Sequence, residues 1–280
     1  MKNKILFVLF VFAILLFGIL SFVFAIPLIS FTSTTPADNL WTRNTSVEIN
    51  VSIDEANLGS LIYNWNGTNY TFYNNSLVLM MNFENKSSIG ENSTYAVDVS
   101  KYGNNGTIYG AVINSSSGKY GWGGYFDGVN DYVSISDSSN FDFGTGGFSI
   151  GMWFKKIGEG RGDIFNWKDG NGIQDDFGFI LQDDETFDVW FKIDGTGDYA
   201  VTNGHSFSIN QWHQAVFVRN STGNITTYID GVPDGSGSSN MNLSNINAGT
   251  PIWIGSNKAD GSPANIFNGA IGVIEIKEFG

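Results

Sequence analysis

The sequence predicts an all-β protein in which two antiparallel sheets stack as a jelly-roll sandwich. Three observations predict it. Short runs of alternating apolar and polar residues recur along the chain, as in "TSVEINVSID", "FSIGMWFK" and "TFDVWFK", the period-two signature of strands buried on one side. Asp-Gly and Asn-Gly pairs separate these runs, at Asp127, Asp230, Asn105 and Asn268 among others, and such pairs supply the positive backbone angles of tight turns. No stretch carries a helical period of useful length, and there is no internal repeat, which leaves a sandwich or jelly roll as the architecture.

Taken in order, residues 1–25 read as an export segment. A short basic start, "MKNK", precedes an apolar run from Ile5 to Phe24 and a small residue, Ala25, at a plausible cleavage point. The run is close to the ~20 residues that span a bilayer, so it serves either as a cleaved signal peptide or as a membrane anchor with Lys2 and Lys4 on the cytoplasmic side. Either way the remainder is expected outside the cytoplasm, extracellular or at the cell surface.

Residues 26–75 form a short immunoglobulin-like β segment. Val47, Ile49, Val51 and Ile53 share one face, and "LIYNWNGTNYTFY" reads as a hairpin turning at Asn66-Gly67. Residues 76–280 hold the longer strands: "SLVLMMNF", "FSIGMWFKK", "DFGFIL", "TFDVWFK", "QWHQAVFVRN", "NITTYIDG", "PIWIG" and "FNGAIGVIEIK". Alternation places Phe148, Ile150, Met152 and Phe154 in the core, with Trp153 and Lys155 opposite. It likewise places Phe187, Val189 and Phe191 inward and Asp188, Trp190 and Lys192 outward.

Composition excludes several functions. A net charge of −13 repels nucleic acid and anionic membranes and suits cations or neutral ligands. The absence of cysteine removes disulfides, thiol catalysis and Cys-based zinc sites. Dense Asn-X-Ser/Thr triplets, such as those at Asn66, Asn92 and Asn224, would be surface glycan acceptors in a host with that machinery. His205 and His213 have no ligand spacing, no serine sits in a Gly-x-Ser-x-Gly setting, and no glycine cluster opens a phosphate-binding helix.

The stretch "GGYFDGVNDYVSIS", Gly123 to Ser136, delivers a strand from a turn. The oxygens of Asp127, Asn130 and Asp131 serve that turn, a metal or a ligand. Together with "LVLMMNFEN", "DVSKYGNNGTIYGAV", "QWHQAVFVRN", "YIDGV", "PIWIGS" and "FNGAIGVIEI", it gives residues 77–277 a resemblance to a laminin-G-like domain of the concanavalin A-like lectin/glucanase superfamily. The resemblance implies a curved jelly roll, often with a calcium ion at its rim. Calcium asks for ~6–8 oxygen ligands, and Asp127, Asn130 and Asp131 are the candidates. Relatives usually carry an acidic pair in the last strand where Gly272 and Val273 stand here, so one source of ligands is missing. Relatives also commonly run on past that strand, whereas this chain stops at "EIKEFG", as a piece of a longer protein would.

The superfamily holds lectins, adhesion modules, glycosidases and spacers, so function rests on the site. The Glu-x-Asp-x-x-Glu set of its glucanases, which supplies a nucleophile and an acid about 5–5.5 Å apart, is absent from this sequence. The nearest acidic cluster, "DDETFD", places Asp184 and Asp188 on one strand face. Catalysis is therefore not expected. Sugar binding needs aromatic faces among polar groups. Trp190 with Asp188 and Lys192 has that form; so do Trp167, ahead of "KDGNG" with Asp175 and Asp176 behind, and Tyr132 beside Asp131. The expected function is a noncatalytic surface module that binds glycans or surface proteins, with calcium as a candidate cofactor. The alternative is a spacer without a ligand of its own. An exposed aromatic beside unpaired polar groups would favour the first.

Overall fold

A computed structural model describes residues 28–31, 35–37, 41, 49, 51–54, 59–167, 176–192, 198–201, 207–238, 250–257 and 263–279. The apolar leader lies outside them. Among the described residues no helix is long and apolar enough to cross a membrane.

The chain divides into two compact units, Met1–Leu61 and Ile62–Gly280. In the first, β1 (Leu28–Phe31) pairs antiparallel with β2 (Val51–Asp54); the rest of the immunoglobulin-like segment read from the sequence lies outside the described residues. The hairpin of β3 (Leu61–Trp65) and β4 (Thr68–Tyr73) begins at the boundary, so the division falls ahead of it and not at residue 75. Its turn is the Asn66-Gly67 pair, with φ of 48° and 80°, the two positive angles that a tight hairpin turn of the I′ type demands.

The larger unit continues with β5 (Leu77–Met81), β6 (Tyr95–Ala96), β7 (Gly106–Tyr109), β8 (Val112–Asn114), β9 (Gly123–Asp127), β10 (Tyr132–Ile135), β11 (Gly147–Lys156), β12 (Gly162–Trp167), β13 (Asp176–Leu181) and β14 (Phe187–Lys192). It ends with β15 (Asp198–Val201), β16 (His213–Arg219), β17 (Asn224–Ile229), β18 (Val232–Ser238), β19 (Ile252–Ile254) and β20 (Asn268–Phe279). Two short 3₁₀ turns, Ser87–Ile89 and Ser139–Phe141, are its described helical elements.

These strands build two antiparallel sheets. One runs β15-β14-β13-β12-β19-β10-β7-β6 and the other β18-β17-β16-β11-β20-β9-β8. In the second, β20 pairs with β9 through Asn268–Ile271 and with β5 through Ile274–Lys277. The change of partner coincides with an irregularity against β11, between Met152 and Phe154. Gly272 and Val273 occupy that step.

The core lies between the sheets and is built of phenylalanine and isoleucine. Phe148, Ile150, Met152 and Phe154 of β11 are buried, as are Phe187 and Val189 of β14, as alternation predicts. Phe177 of the first sheet meets Phe217 and Phe148 of the second, with ring centroids 4.8 and 6.4 Å apart. Burial of large aromatic side chains is the main source of stability for a chain without cross-links.

Strand β12 departs from simple alternation, with all of its residues buried. Its register shifts between Asp163 and Phe165 against β13. The extra residue of this bulge turns Ile164 and Phe165 both into the core, so that Asp163 and Asn166, three positions apart, both reach the outer face.

Candidate functional site

The outer face of the first sheet carries a cleft of about 250 Å3 lined by Arg161, Asp163, Asn166, Ile180, Gln182, Asp188, Trp190 and Asn257. Register explains how these residues meet. Trp190 faces Gly178 across β14 and β13, Gly178 faces Asn166 on β12, Asn166 faces Trp253 on β19, and Trp253 faces Ser134 on β10. All therefore lie in one row on one face. The second row holds Asp188 opposite Ile180, and Ile180 opposite Asp163.

The space between Trp190 and Asn166 exists because β13 carries glycine there. A Cβ on Gly178 would stand 3.2 Å from Asn166 Nδ2, and any longer side chain would fill the floor. Asn166 is 1% exposed, and its Oδ1 has no hydrogen-bond partner. An orphaned acceptor at this depth is costly, about 1–3 kcal/mol, unless something completes it. On the flanks Arg161 Nε donates to Asp163 Oδ1 at 3.2 Å, and Gln182 Nε2 donates to Asp188. The cleft thus offers an aromatic wall, an unfilled acceptor on its floor, and carboxylates held by neighbouring donors.

Of the residues singled out in the sequence, Trp190 and Asp188 meet here. Lys192 follows on β14, paired with Asp176, but its side chain lies outside the described residues, as do Lys168 to Asp175. Trp167 is a correction. It is 1% exposed and packs in the core edge-on to Phe141, at 5.9 Å, because it shares the inward face of β12 with Phe165. Tyr132 belongs to the same outer face as the cleft but sits farther along the sheet, stacked on Tyr109 at 4.5 Å and edge-on to Trp253 at 5.4 Å. Asp184 is not on a strand face with Asp188. It lies exposed in the β13–β14 turn, where it accepts hydrogen bonds from the Thr186 amide and hydroxyl. Those two bonds hold its pKa below the ordinary aspartate range.

Sequence reasoning missed Asn166, Gly178, Arg161 and Gln182. The available signal was Asp163 and Asn166, two polar residues inside the otherwise apolar "DIFNW".

The turn after β9 is built for itself. Asp131 Oδ2 accepts the Asp127 amide at 2.9 Å, and Asp127 Oδ1 accepts the Val129 amide at 2.8 Å. Asp131 is buried whereas Asp127 and Asn130 are exposed. Gly110, at φ 76°, lies against Asp131 so closely that a Cβ would collide with Oδ1. Among the described residues no three Asp, Glu or His side chains gather around a point. As arranged, Asp127, Asn130 and Asp131 fit the turn and do not fit a calcium ion, which needs many more oxygens around one centre.

Burial, with the nearby Asp127 charge adding to it, raises the Asp131 pKa from its ordinary 3.8. A carboxyl whose folded pKa is raised contributes stability below its unfolded pKa and loses it as pH rises through the folded value. Asp131→Asn, which cannot ionise, is therefore expected to gain on the wild type as pH climbs from about 3 to 7. Paired urea unfolding curves across that range check this. A difference that stays constant with pH would contradict it.

Residues 126–276 match the family model described as the concanavalin A-like lectin/glucanases superfamily. Domain 4 of AbnA, a GH43 extracellular arabinanase from Geobacillus stearothermophilus, solved with arabinotriose, superposes with a TM-score of 0.55 at 17% identity, over 72% of this chain and 92% of that one. The binding domain of botulinum neurotoxin DC, solved with SialylT, superposes with a TM-score of 0.54 at 17% identity. That match covers 74% of this chain and about half (49%) of the neurotoxin domain. No curated protein sequence matches the chain. At such identities the structural likenesses establish the fold alone, and they agree with the sequence match: this chain belongs to the concanavalin A-like lectin/glucanases superfamily.

Proposed function

We propose that the chain is an exported, noncatalytic carbohydrate-binding module that takes a sugar ring against Trp190 in the cleft of the first sheet. The observation that carries this reading is the buried Asn166 Oδ1, which lacks a partner across Gly178 from Trp190. A sugar offers what this arrangement lacks. Its apolar ring face stacks on an indole, and its hydroxyls donate to Asn166 Oδ1 and to the oxygens of Asp188. The volume is below the ~300–1,000 Å3 of pockets that enclose a drug-sized ligand, so the cleft suits one ring of a chain or a chain end. Export rests on the leader-like residues 1–25. That two structural neighbours were solved with arabinotriose and SialylT supports the ligand class. The exposed aromatic beside an unsatisfied polar group separates this reading from that of a spacer.

The test presents the full chain to an array of neutral and acidic oligosaccharides, with calcium and with chelator. Binding to at least one neutral oligosaccharide is expected, unchanged by chelator. Trp190→Ala is expected to weaken it ~10–100-fold, through the loss of about 1.5–3 kcal/mol of stacking and burial. Gly178→Leu, which fills the floor, is expected to abolish it. Undiminished binding by both variants would overturn the assignment of the cleft, and silence across the array would overturn the carbohydrate reading.

A further inference from the structure

The outer face of the second sheet carries a different set of groups. Trp153 of β11 meets the ring of Tyr120 edge-on at 5.8 Å, and the Lys119 ammonium lies 5.2 Å from the Trp153 centroid and 5.7 Å from that of Tyr120. Beside them the Lys155 ammonium lies 5.4 Å over Trp212. Gly272 ties the two halves together. A Cβ there would stand 3.3 Å from Trp153 Cβ and 3.8 Å from both the Lys119 amide nitrogen and the Trp212 ring. Three aromatics and two lysines thus surround one side-chain-free position. Tyr120 is 64% exposed, and Trp153 and Trp212 are half-buried.

The charges make this cluster unusual for the chain. The protein has 27 acidic against 14 basic residues, yet neither Lys119 nor Lys155 has a carboxylate partner among the described residues. The nearby acids are otherwise engaged: Glu275 pairs with Lys277 at 3.1 Å, and Glu84 faces Gly121 and the Trp122 amide. A lysine over an aromatic ring gains only about 0.5–1 kcal/mol at an exposed site and keeps its remaining N–H donors for another ligand.

We propose that this face is a second sugar site, separate from the cleft, for an oligosaccharide bearing an isolated carboxylated sugar. Lys119 and Lys155 supply the charge, and Tyr120, Trp153 and Trp212 the platform. Net charge decides against the competing partners. A chain at −13 is repelled by an extended polyanion such as nucleic acid or an anionic bilayer, and two lysines offset that by only about 1 kcal/mol each. A single carboxylate among neutral sugars meets the local field of the lysines without the repulsion of the whole surface.

The probes are a hyaluronan tetrasaccharide and 3′-sialyllactose, each beside its carboxyl-reduced twin, with the full chain titrated by calorimetry. At least one acidic form is expected to bind roughly tenfold tighter than its twin, the size of one charge-assisted hydrogen bond. That gap is expected to vanish in the Lys119→Gln/Lys155→Gln double variant, whose exposed and half-exposed changes spare the core, and in Gly272→Glu. It is expected to persist in Trp190→Ala, which separates this site from the cleft. Absence of a gap for both probes, persistence of the gap in the double variant, its loss in Trp190→Ala, or lysine-dependent binding to phosphatidylserine vesicles in place of sugar would each overturn the proposal.

Discussion

Asp98→Ala is expected to destabilise the larger unit by about 4 kcal/mol or more, near the limit for a single substitution. The carboxylate is 4% exposed and accepts the amides of Met80, Ser100 and Asn104 at 2.8–2.9 Å, with the Ser100 hydroxyl at 2.7 Å. Its own amide donates to Asn105 Oδ1 at 2.9 Å. Alanine strands several of these buried donors at once, and each orphan costs about 1–3 kcal/mol. The damage reaches both sheets, because Met80 sits in β5, which pairs with β20, while Asn105 leads into β7. Asp98→Asn keeps one acceptor oxygen for Met80 and Ser100, and the Ser100 hydroxyl can turn to the Val78 carbonyl it already faces at 3.0 Å. The loss then falls chiefly on Asn104, and about 1–3 kcal/mol is expected. Urea unfolding of both variants checks the order; equal and small losses would show that water replaces the carboxylate.

That knot also shows what the sequence could and could not disclose. The run "DVSKYGNNGTIYGAV" is legible as a family mark, but its physical content is a set of bonds between Asp98 and a strand 18 positions earlier, which no local pattern reveals. Local rules served where the interaction is local. Alternation placed the inward residues of β11 and β14 correctly, and Asn66-Gly67 turned as its angles require. They failed where geometry breaks the period. The bulge in β12 reversed the faces expected along "DIFNW", hiding Asn166, and an indole beside a polar loop, Trp167, proved to be a core side chain. The cleft itself is assembled from register: Trp190, Gly178 and Asn166 come from three strands, and only the pairing aligns them. The same holds for Tyr120 and Trp153, which lie 33 positions apart in sequence and touch across the second sheet.

Phe177→Ala is expected to cost about 3–5 kcal/mol, the range for emptying a buried aromatic site. Its ring lies 4.8 Å from Phe217, 5.2 Å from Phe179, 5.9 Å from Phe165 and 6.4 Å from Phe148. Two of these neighbours belong to each sheet, so the deletion removes packing between the layers as well as within one. Phe177→Leu fills most of the volume and is expected to lose less than half as much. The substitution also tests the independence of core and cleft. Phe177 points inward while Gly178, the next residue of β13, floors the cleft on the opposite face. If backbone register alone sets the cleft, molecules of Phe177→Ala that remain folded should bind the same oligosaccharide with unchanged affinity. The apparent loss would then equal the unfolded fraction measured by denaturation under the same conditions. A loss beyond that fraction would mean that the phenylalanine layer holds β13 against β12, and with it the distance between Trp190 and Asn166.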